Sequence, residues 1–184
     1  TFRKFYVDPA DTKWFITVDN GLVRFDNVSW KHFAAADDLT NRYVYAVASD
    51  SLNTLWLATL KGISSFDGVS WKTYRRADGL PADIISSVAV DSENGKWFGS
   101  SQGLTRFDGV SFKTYRKADG FPDDDIRNIG AGADGVVWAS LTNGIVRFDG
   151  SSWKFLKVRE PLWGTTACYV DGKNRFWTSG QTLL

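Results

Sequence analysis

His32 and Cys168 are the only histidine and the only cysteine among the 184 residues, and that scarcity decides which chemistries are open. A Ser-His-Asp or Cys-His arrangement would have to use His32, because no other imidazole exists to act as base. Zinc sites draw on several His or Cys ligands, and one of each does not suffice. Cys168 has no partner for an intrachain disulfide and reads as a small buried apolar side chain in preference to a reactive thiol. Carboxylates are plentiful, so a pair for glycoside hydrolysis is available in principle, yet nothing marks any pair out. The run Asp123-Asp124-Asp125 lacks the alternating Asp-x-Asp-x-Asp-Gly spacing and closing Glu of a calcium loop. The glycines sit at hairpin spacing and do not precede helices, so phosphate-cradling loops are absent. The expectation is a chain without catalytic residues, metal or cofactor.

What remains is recognition chemistry. Asn20, Lys61, Gln102 and Asn143 each stand immediately before a glycine that recurs along the chain. Arg75 and Arg116 open two basic pairs, Arg75-Arg76 and Arg116-Lys117, and each pair is followed by Asp78 or Asp119. Asp124 belongs to the same loop as Arg116, and Trp163 interrupts the pattern in the fourth copy. Amide, guanidinium and carboxylate groups pair bidentately with sugar hydroxyls, and an exposed indole offers a stacking face. Trp163 either contacts a ligand or plugs the space where its loop lost residues. The basic pairs are either a solvated face paired with the following Asp or an anion site.

These residues are positioned by a repeat. Phe25-Asp26, Phe66-Asp67, Phe107-Asp108 and Phe148-Asp149 recur every 41 residues, as do Gly21, Gly62, Gly103 and Gly144. Trp30, Trp71, Phe112 and Trp153 keep the same interval, and a second series runs Trp14, Trp56, Trp97, Trp138 and Trp177. Periods of about 40–45 residues built of short strands mark propeller blades. In the unit 85–115 the pattern predicts strand A over 85–90, a turn over 91–95, strand B over 96–100, strand C over 104–107 and strand D over 110–115. Asp108-Gly109 between C and D predicts a two-residue hairpin loop of type I′, with positive φ at both residues. Asp-Gly-Leu-Pro at 78–81 predicts a turn that ends strand D and launches the next strand A, its Pro outside the ladder.

The fold class is therefore all-β: a β-propeller of four-stranded antiparallel blades at approximately 1–34, 43–75, 84–116 and 125–157, with a partial blade at 166–184. The nine Trp, thirteen Phe and six Tyr suit sheets packed face to face. Both tryptophan-bearing series are expected between blades. The D–A and B–C loops share one rim in such a fold, so all eight polar and aromatic candidates fall on it. A seven-bladed ring would need roughly 290 residues at this period. The chain is then a piece of a longer propeller, one of several copies that complete a ring, or a small closed ring with a degenerate last blade.

The residues Trp97-Phe98-Gly99-Ser100, Gly103-Leu104-Thr105-Arg106-Phe107-Asp108-Gly109 and Asp78-Gly79-Leu80-Pro81, with its counterpart Asp119-Gly120-Phe121-Pro122, resemble the two-component regulator propeller repeat. The resemblance covers essentially the whole chain. It implies the β-propellers of extracytoplasmic sensor regions in bacterial hybrid two-component systems, many of which respond to oligosaccharides. It also implies a periplasmic or extracellular location and a non-catalytic role. No kinase, receiver or following β-sandwich motif accompanies the repeats, so the signalling role rests on analogy. Streptogramin lyases carry a similar repeat, but their chemistry uses histidine with a metal, which His32 alone does not match. The expected function is an extracytoplasmic ligand-sensing or carbohydrate-binding module. The alternative is a structural or protein-interaction scaffold that self-associates through open blade edges.

Charge and hydropathy exclude other partners. Twenty-two basic against 21 acidic residues leave a net charge of +1, which gives no footprint for nucleic acid. No run of about 18 apolar residues occurs, so no membrane insertion is expected.

Overall fold

The computed structural model describes residues 2–17, 21–33, 43–132, 134–157, 168–171, 173 and 175–178, with Phe2, Arg3, Cys168 and Tyr169 placed by backbone alone. The strands are β1 (Phe2–Val7), β2 (Lys13–Thr17), β3 (Leu22–Phe25), β4 (Trp30–Phe33), β5 (Val44–Ser49), β6 (Leu55–Thr59), β7 (Gly62–Phe66) and β8 (Trp71–Tyr74). They continue as β9 (Ser87–Val90), β10 (Lys96–Ser100), β11 (Gly103–Phe107), β12 (Phe112–Tyr115), β13 (Ile126–Ala131), β14 (Val137–Leu141), β15 (Gly144–Phe148), β16 (Trp153–Lys157), β17 (Cys168–Val170) and β18 (Phe176–Thr178). They form four four-stranded antiparallel sheets in chain order and one two-stranded sheet. This is the all-β architecture of propeller blades. Among the described residues the only helical pieces are short 3-10 turns at Arg76–Asp78 and Lys117–Asp119. No helix there is long and apolar enough to cross a membrane.

The chain divides into two compact units, Thr1–Ser86 and Ser87–Leu184. In the first, β1–β4 and β5–β8 pack face to face. Ile16, Leu22 and Phe33 lie opposite one another across β2, β3 and β4. They meet Leu55, Leu57 and Phe66 of the neighbouring sheet in one buried cluster. Period-two alternation makes this possible, since every second side chain of each strand shares a face. The Tyr6 hydroxyl also reaches Ser49 Oγ of the second sheet at 2.7 Å.

In the second unit, Trp97 of β10 is fully buried. Its ring lies 5.5 Å from that of Phe148 and 5.8 Å from that of Trp153, both on the sheet β13–β16. On the far side of that sheet Trp138 stacks on Phe176 of the two-stranded sheet at 5.6 Å. Burying an indole on both faces removes some 200 Å² from water, which is worth several kcal/mol. The expectation that both aromatic series pack between blades holds for these residues.

The C–D hairpin departs from expectation. Phe107 pairs with Phe112, so four residues, Asp108 to Ser111, lie outside the ladder. Only Gly109 has positive φ (106°), whereas a type I′ loop on Asp-Gly needs two such residues. The reason is the Asp side chain. Asp108 Oδ1 accepts the N–H groups of Val110 and Ser111, both at 2.8 Å. The side chain thereby takes the Ser111 N–H that a main-chain turn gives to a carbonyl, while Asp108 N–H still reaches Ser111 O at 3.4 Å. Asp26, Asp67 and Asp149 do the same, and the donors hold all four carboxyls below the usual carboxylate range. In the first copy Asn27 adopts φ 71° in place of the glycine, and its side chain bonds Lys13 and Asp11.

Candidate functional site

Each unit carries the expected rim as a hydrogen-bonded pair of loops. In the first, Gly62 N–H donates to Asp83 O at 2.5 Å and Ile85 N–H to Thr59 O at 3.0 Å, which ties the β6–β7 turn to the loop after β8. In the second, Gly103 N–H donates to Asp124 O at 2.8 Å, tying the β10–β11 turn to the loop after β12. The strand-end hydroxyls brace the same turns: Thr59 Oγ1 donates to Gly62 O and Ser100 Oγ to Gly103 O. Gly103 itself is required, because its φ is 124° and a Cβ would sit 2.7 Å from Tyr115 O.

On these rigid turns the sequence varies. Lys61, Arg75, Gln102, Arg116 and Asn143 are all exposed. Lys61 and Arg75 belong to the first unit, and Gln102, Arg116, Asp124 and Asn143 to the second. Asp124 differs from the rest, because its Oδ1 accepts Lys117 N–H at 2.7 Å and so closes its own loop. Its neighbours are separately engaged. Asp123 Oδ1 accepts Asp124 N–H at 2.9 Å, and Asp125 pairs with Arg127 at 2.6 Å. The triple therefore does not converge, and among the described residues no group of His, Cys, Asp or Glu is arranged to hold a metal. Asn20 and Trp163 lie outside the described residues. His32 is exposed on β4, the outermost strand of its sheet.

Sequence reasoning missed two features. The first is a carboxylate–indole link at the A–B turns. Asp8, Asp50, Asp91 and Asp171 each accept the indole N–H of Trp14, Trp56, Trp97 or Trp177 at 2.7–3.0 Å. The signal was present as a constant offset, since each Asp stands six residues before its Trp.

The second is a groove of about 610 Å³ in the second unit, lined by the outer strands and turns of the two sheets β9–β12 and β13–β16. Its aromatic lining is Tyr115, Phe148 and Trp153. Trp153 stacks on Phe148 at 4.5 Å and meets Tyr115 edge-on at 5.1 Å. The polar walls include the A–B turn residues Asp91 and Glu93 and the C–D turn residues Asp108 and Asp149. Arg106 and Lys113 supply its cations. Arg106 lies 3.4 Å from Glu93 and 3.7 Å from Asp91, while Lys113 Nζ sits 5.0 Å from the Tyr115 ring centroid.

The fold class that this geometry defines also appears in comparisons with solved structures. The extracellular domain of BT3049 from B. thetaiotaomicron, assigned to a hybrid two-component system, superposes with a TM-score of 0.79 at 19% identity over 95% of this chain. The corresponding domain of BT4673 gives 0.77 at 18% identity over 97% of the chain. Virginiamycin B lyase from Staphylococcus aureus gives 0.75 at 15% identity over 95% of the chain and 61% of its own length. This chain spans 26% of each of the two B. thetaiotaomicron chains. No family model matches the sequence, and no curated protein does. The shared property is the propeller-like fold.

Proposed function

We propose that the chain is a non-catalytic, extracytoplasmic sensing module of a bacterial signalling protein, and that it recognises an oligosaccharide or similarly polar ligand on the B–C/D–A rim. One observation carries the reading. The Gly62 and Gly103 turns repeat the same backbone hydrogen bond to the loop beside them, while the exposed side chain before the glycine changes from Lys61 to Gln102 and, in the fourth repeat, to Asn143. Rigid scaffolding under variable polar groups is how loop-borne recognition is built. The propeller-like fold of the extracellular two-component domains is consistent with this location and role.

Isothermal titration calorimetry of the chain against a panel of neutral and acidic oligosaccharides tests it. Binding is expected for at least one sugar, and Gln102→Ala combined with Arg116→Ala should weaken it about tenfold, as loss of two polar contacts implies. A panel without binding, or binding that ignores the rim variants, overturns the reading. A second reading, an interaction scaffold, draws on the first sheet. Phe5 and Trp30 there are 70% and 62% exposed, and Trp30 stacks on Phe25 at 4.5 Å.

A further inference from the structure

The groove of the second unit does not end at Trp153. A smaller cavity of about 230 Å³ adjoins it, lined by Tyr115, Phe121, Pro122, Trp153 and Phe155 together with Asp119 and Gly120. Tyr115 and Trp153 line both cavities, so the two adjoin at this ring pair. The halves differ in chemistry. The larger carries five carboxyl groups (Asp91, Glu93, Asp108, Asp134 and Asp149) against two cations, Arg106 and Lys113. The smaller is mainly aromatic, and Phe155 on its wall is 38% exposed.

We infer that these adjoining cavities are a binding site for an extended basic peptide segment, one that places an arginine or lysine side chain in the acidic half and an adjacent apolar side chain in the aromatic half. Three observations select that ligand. First, both cations of the acidic half are already engaged, Arg106 by Glu93 and Asp91 and over the Trp97 ring, Lys113 over the Tyr115 ring. Asp91 is spent on its own turn and Asp149 lies 3.8 Å from Arg147, so among the described residues the carboxylates left for a cation from outside are Asp108 and Asp134, with Asp149 shared.

Second, Asp108 and Asp149 are fixed by their turn N–H groups, which also favour their ionised form. A fixed carboxylate meets a guanidinium without first losing side-chain freedom. Third, Trp153 and Tyr115 are only half-buried at the junction, so part of each ring remains open to a cation or planar guanidinium. A neutral sugar could stack on the rings and donate hydroxyls to the carboxylates but would leave their negative charge uncompensated, and an anionic sugar or nucleic acid would be repelled. The two-part lining therefore favours a peptide over a glycan. The smaller cavity borrows Asp119 to Pro122 from the D–A loop, but Gln102, Arg116, Asp124 and Asn143 line neither cavity.

The test uses the 184-residue chain and the capped peptide acetyl-Gly-Arg-Leu-Gly-amide, with counterparts carrying glutamine or glutamate in place of arginine. Binding is followed by the indole N–H resonances, with that of Trp153 assigned through Trp153→Phe. The arginine peptide should shift the Trp153 resonance saturably, and the glutamate peptide should not. Asp149→Asn keeps an acceptor oxygen for the turn but removes the charge, and should weaken binding about fivefold, the effect of losing one partly exposed ion pair. Phe155→Ala, a half-exposed position, should lower affinity for the leucine peptide without changing that for a glycine counterpart. Lack of a Trp153 shift, an equal response to the glutamate peptide, or unchanged affinity in Asp149→Asn overturns the proposal. A shift produced only by an oligosaccharide overturns it in favour of a glycan.

Discussion

The A–B turns of the third and fourth repeats share their backbone hydrogen bonds and differ at the position before the turn, Asp91 in one and Gly132 in the other. In the third, Asp91 N–H donates to Gly95 O at 2.9 Å and Asn94 N–H to Asp91 O at 3.0 Å. In the fourth, Gly132 N–H donates to Val136 O at 2.8 Å and Gly135 N–H to Gly132 O at 3.1 Å. Positive φ falls at the same place, on Asn94 (64°) and Gly135 (81°). Asp91 then adds three contacts that glycine lacks: Glu93 N–H at 3.0 Å, Gly95 N–H at 2.7 Å and Trp97 Nε1 at 2.7 Å. In the fourth repeat Asp134 takes over one donor, Val136 N–H at 3.1 Å. The indole is left over, and Trp138 Nε1 is buried without an acceptor among the described residues. The turn is thus made by the main chain and by one residue of positive φ. The aspartate's separate contribution is to fasten the turn to the tryptophan that packs the next sheet.

Removing that fastening where it exists should have the largest effect. Asp91→Ala leaves two backbone donors and a buried indole N–H unpaired and deprives Arg106 of a neighbour at 3.7 Å. The expected loss is about 3 kcal/mol, read by urea unfolding at neutral pH. A loss under about 1 kcal/mol would mean that water replaces the carboxylate at no cost. Next in size is a paired test on the tryptophans. Trp97→Phe should cost about 2 kcal/mol, because it strands Asp91 Oδ2 as well as shrinking a fully buried ring. Trp138→Phe deletes an N–H that has no partner, so its cost should be smaller by at least about 1 kcal/mol. Equal costs would show that packing alone sets the value of these rings.

How much of this was legible beforehand divides along the same line. Strand β10 falls where the pattern placed it, at Lys96–Ser100, because a buried strand between two turn signals has little freedom in register. Strand β12 starts at Phe112, two residues later than the pattern indicated, because Asp108 caps the turn and draws Val110 and Ser111 out of the ladder. Main-chain periodicity is visible in a sequence; a side chain's choice of hydrogen-bond partner is visible only when its offset is noticed. The six-residue interval from Asp8, Asp50, Asp91 and Asp171 to their tryptophans was such an offset. The rim was legible as loops, since it follows from blade order. Asp124 was read as an exposed contact, yet its carboxylate closes the loop on Lys117 N–H, a partner seven residues away that no spacing rule indicates. The groove was not legible, because Tyr115 and Trp153 come from different repeats and meet only after the sheets pack.

A gain should follow from supplying the missing contact. The backbone at 132–136 already matches that at 91–95 in its hydrogen bonds, so Gly132→Asp should reach Trp138 Nε1 as Asp91 reaches Trp97. Because Val136 N–H is already served by Asp134, the gain is confined mainly to the indole and should be about 1 kcal/mol. A destabilised Gly132→Asp would show that the fourth turn is closed to a carboxylate, and that Arg147, 5.7 Å from the Trp138 ring, and Phe176 already occupy the space.

The smallest effect is read from single resonances. Asp171 accepts Trp177 Nε1 at 2.9 Å, and this bond, with the Arg175 N–H next, holds its carboxyl well below the usual carboxylate range. A folded-state pKa lower than the unfolded one means that the contact contributes fully above about pH 4 and is lost as pH falls through the folded value. The Trp177 indole N–H resonance should therefore stay fixed from neutrality down to about pH 4 and move only below it. The Trp138 indole has no carboxylate to lose and should not move over the same range while the fold persists. Introducing Gly132→Asp should confer the acid-dependent shift on Trp138. If both indoles titrate together in the unaltered chain, the movement reports a general loosening of the sheets and not the aspartate. If neither moves, the Asp171 bond does not persist in solution, and the difference between the turns shrinks to the buried one at Asp91.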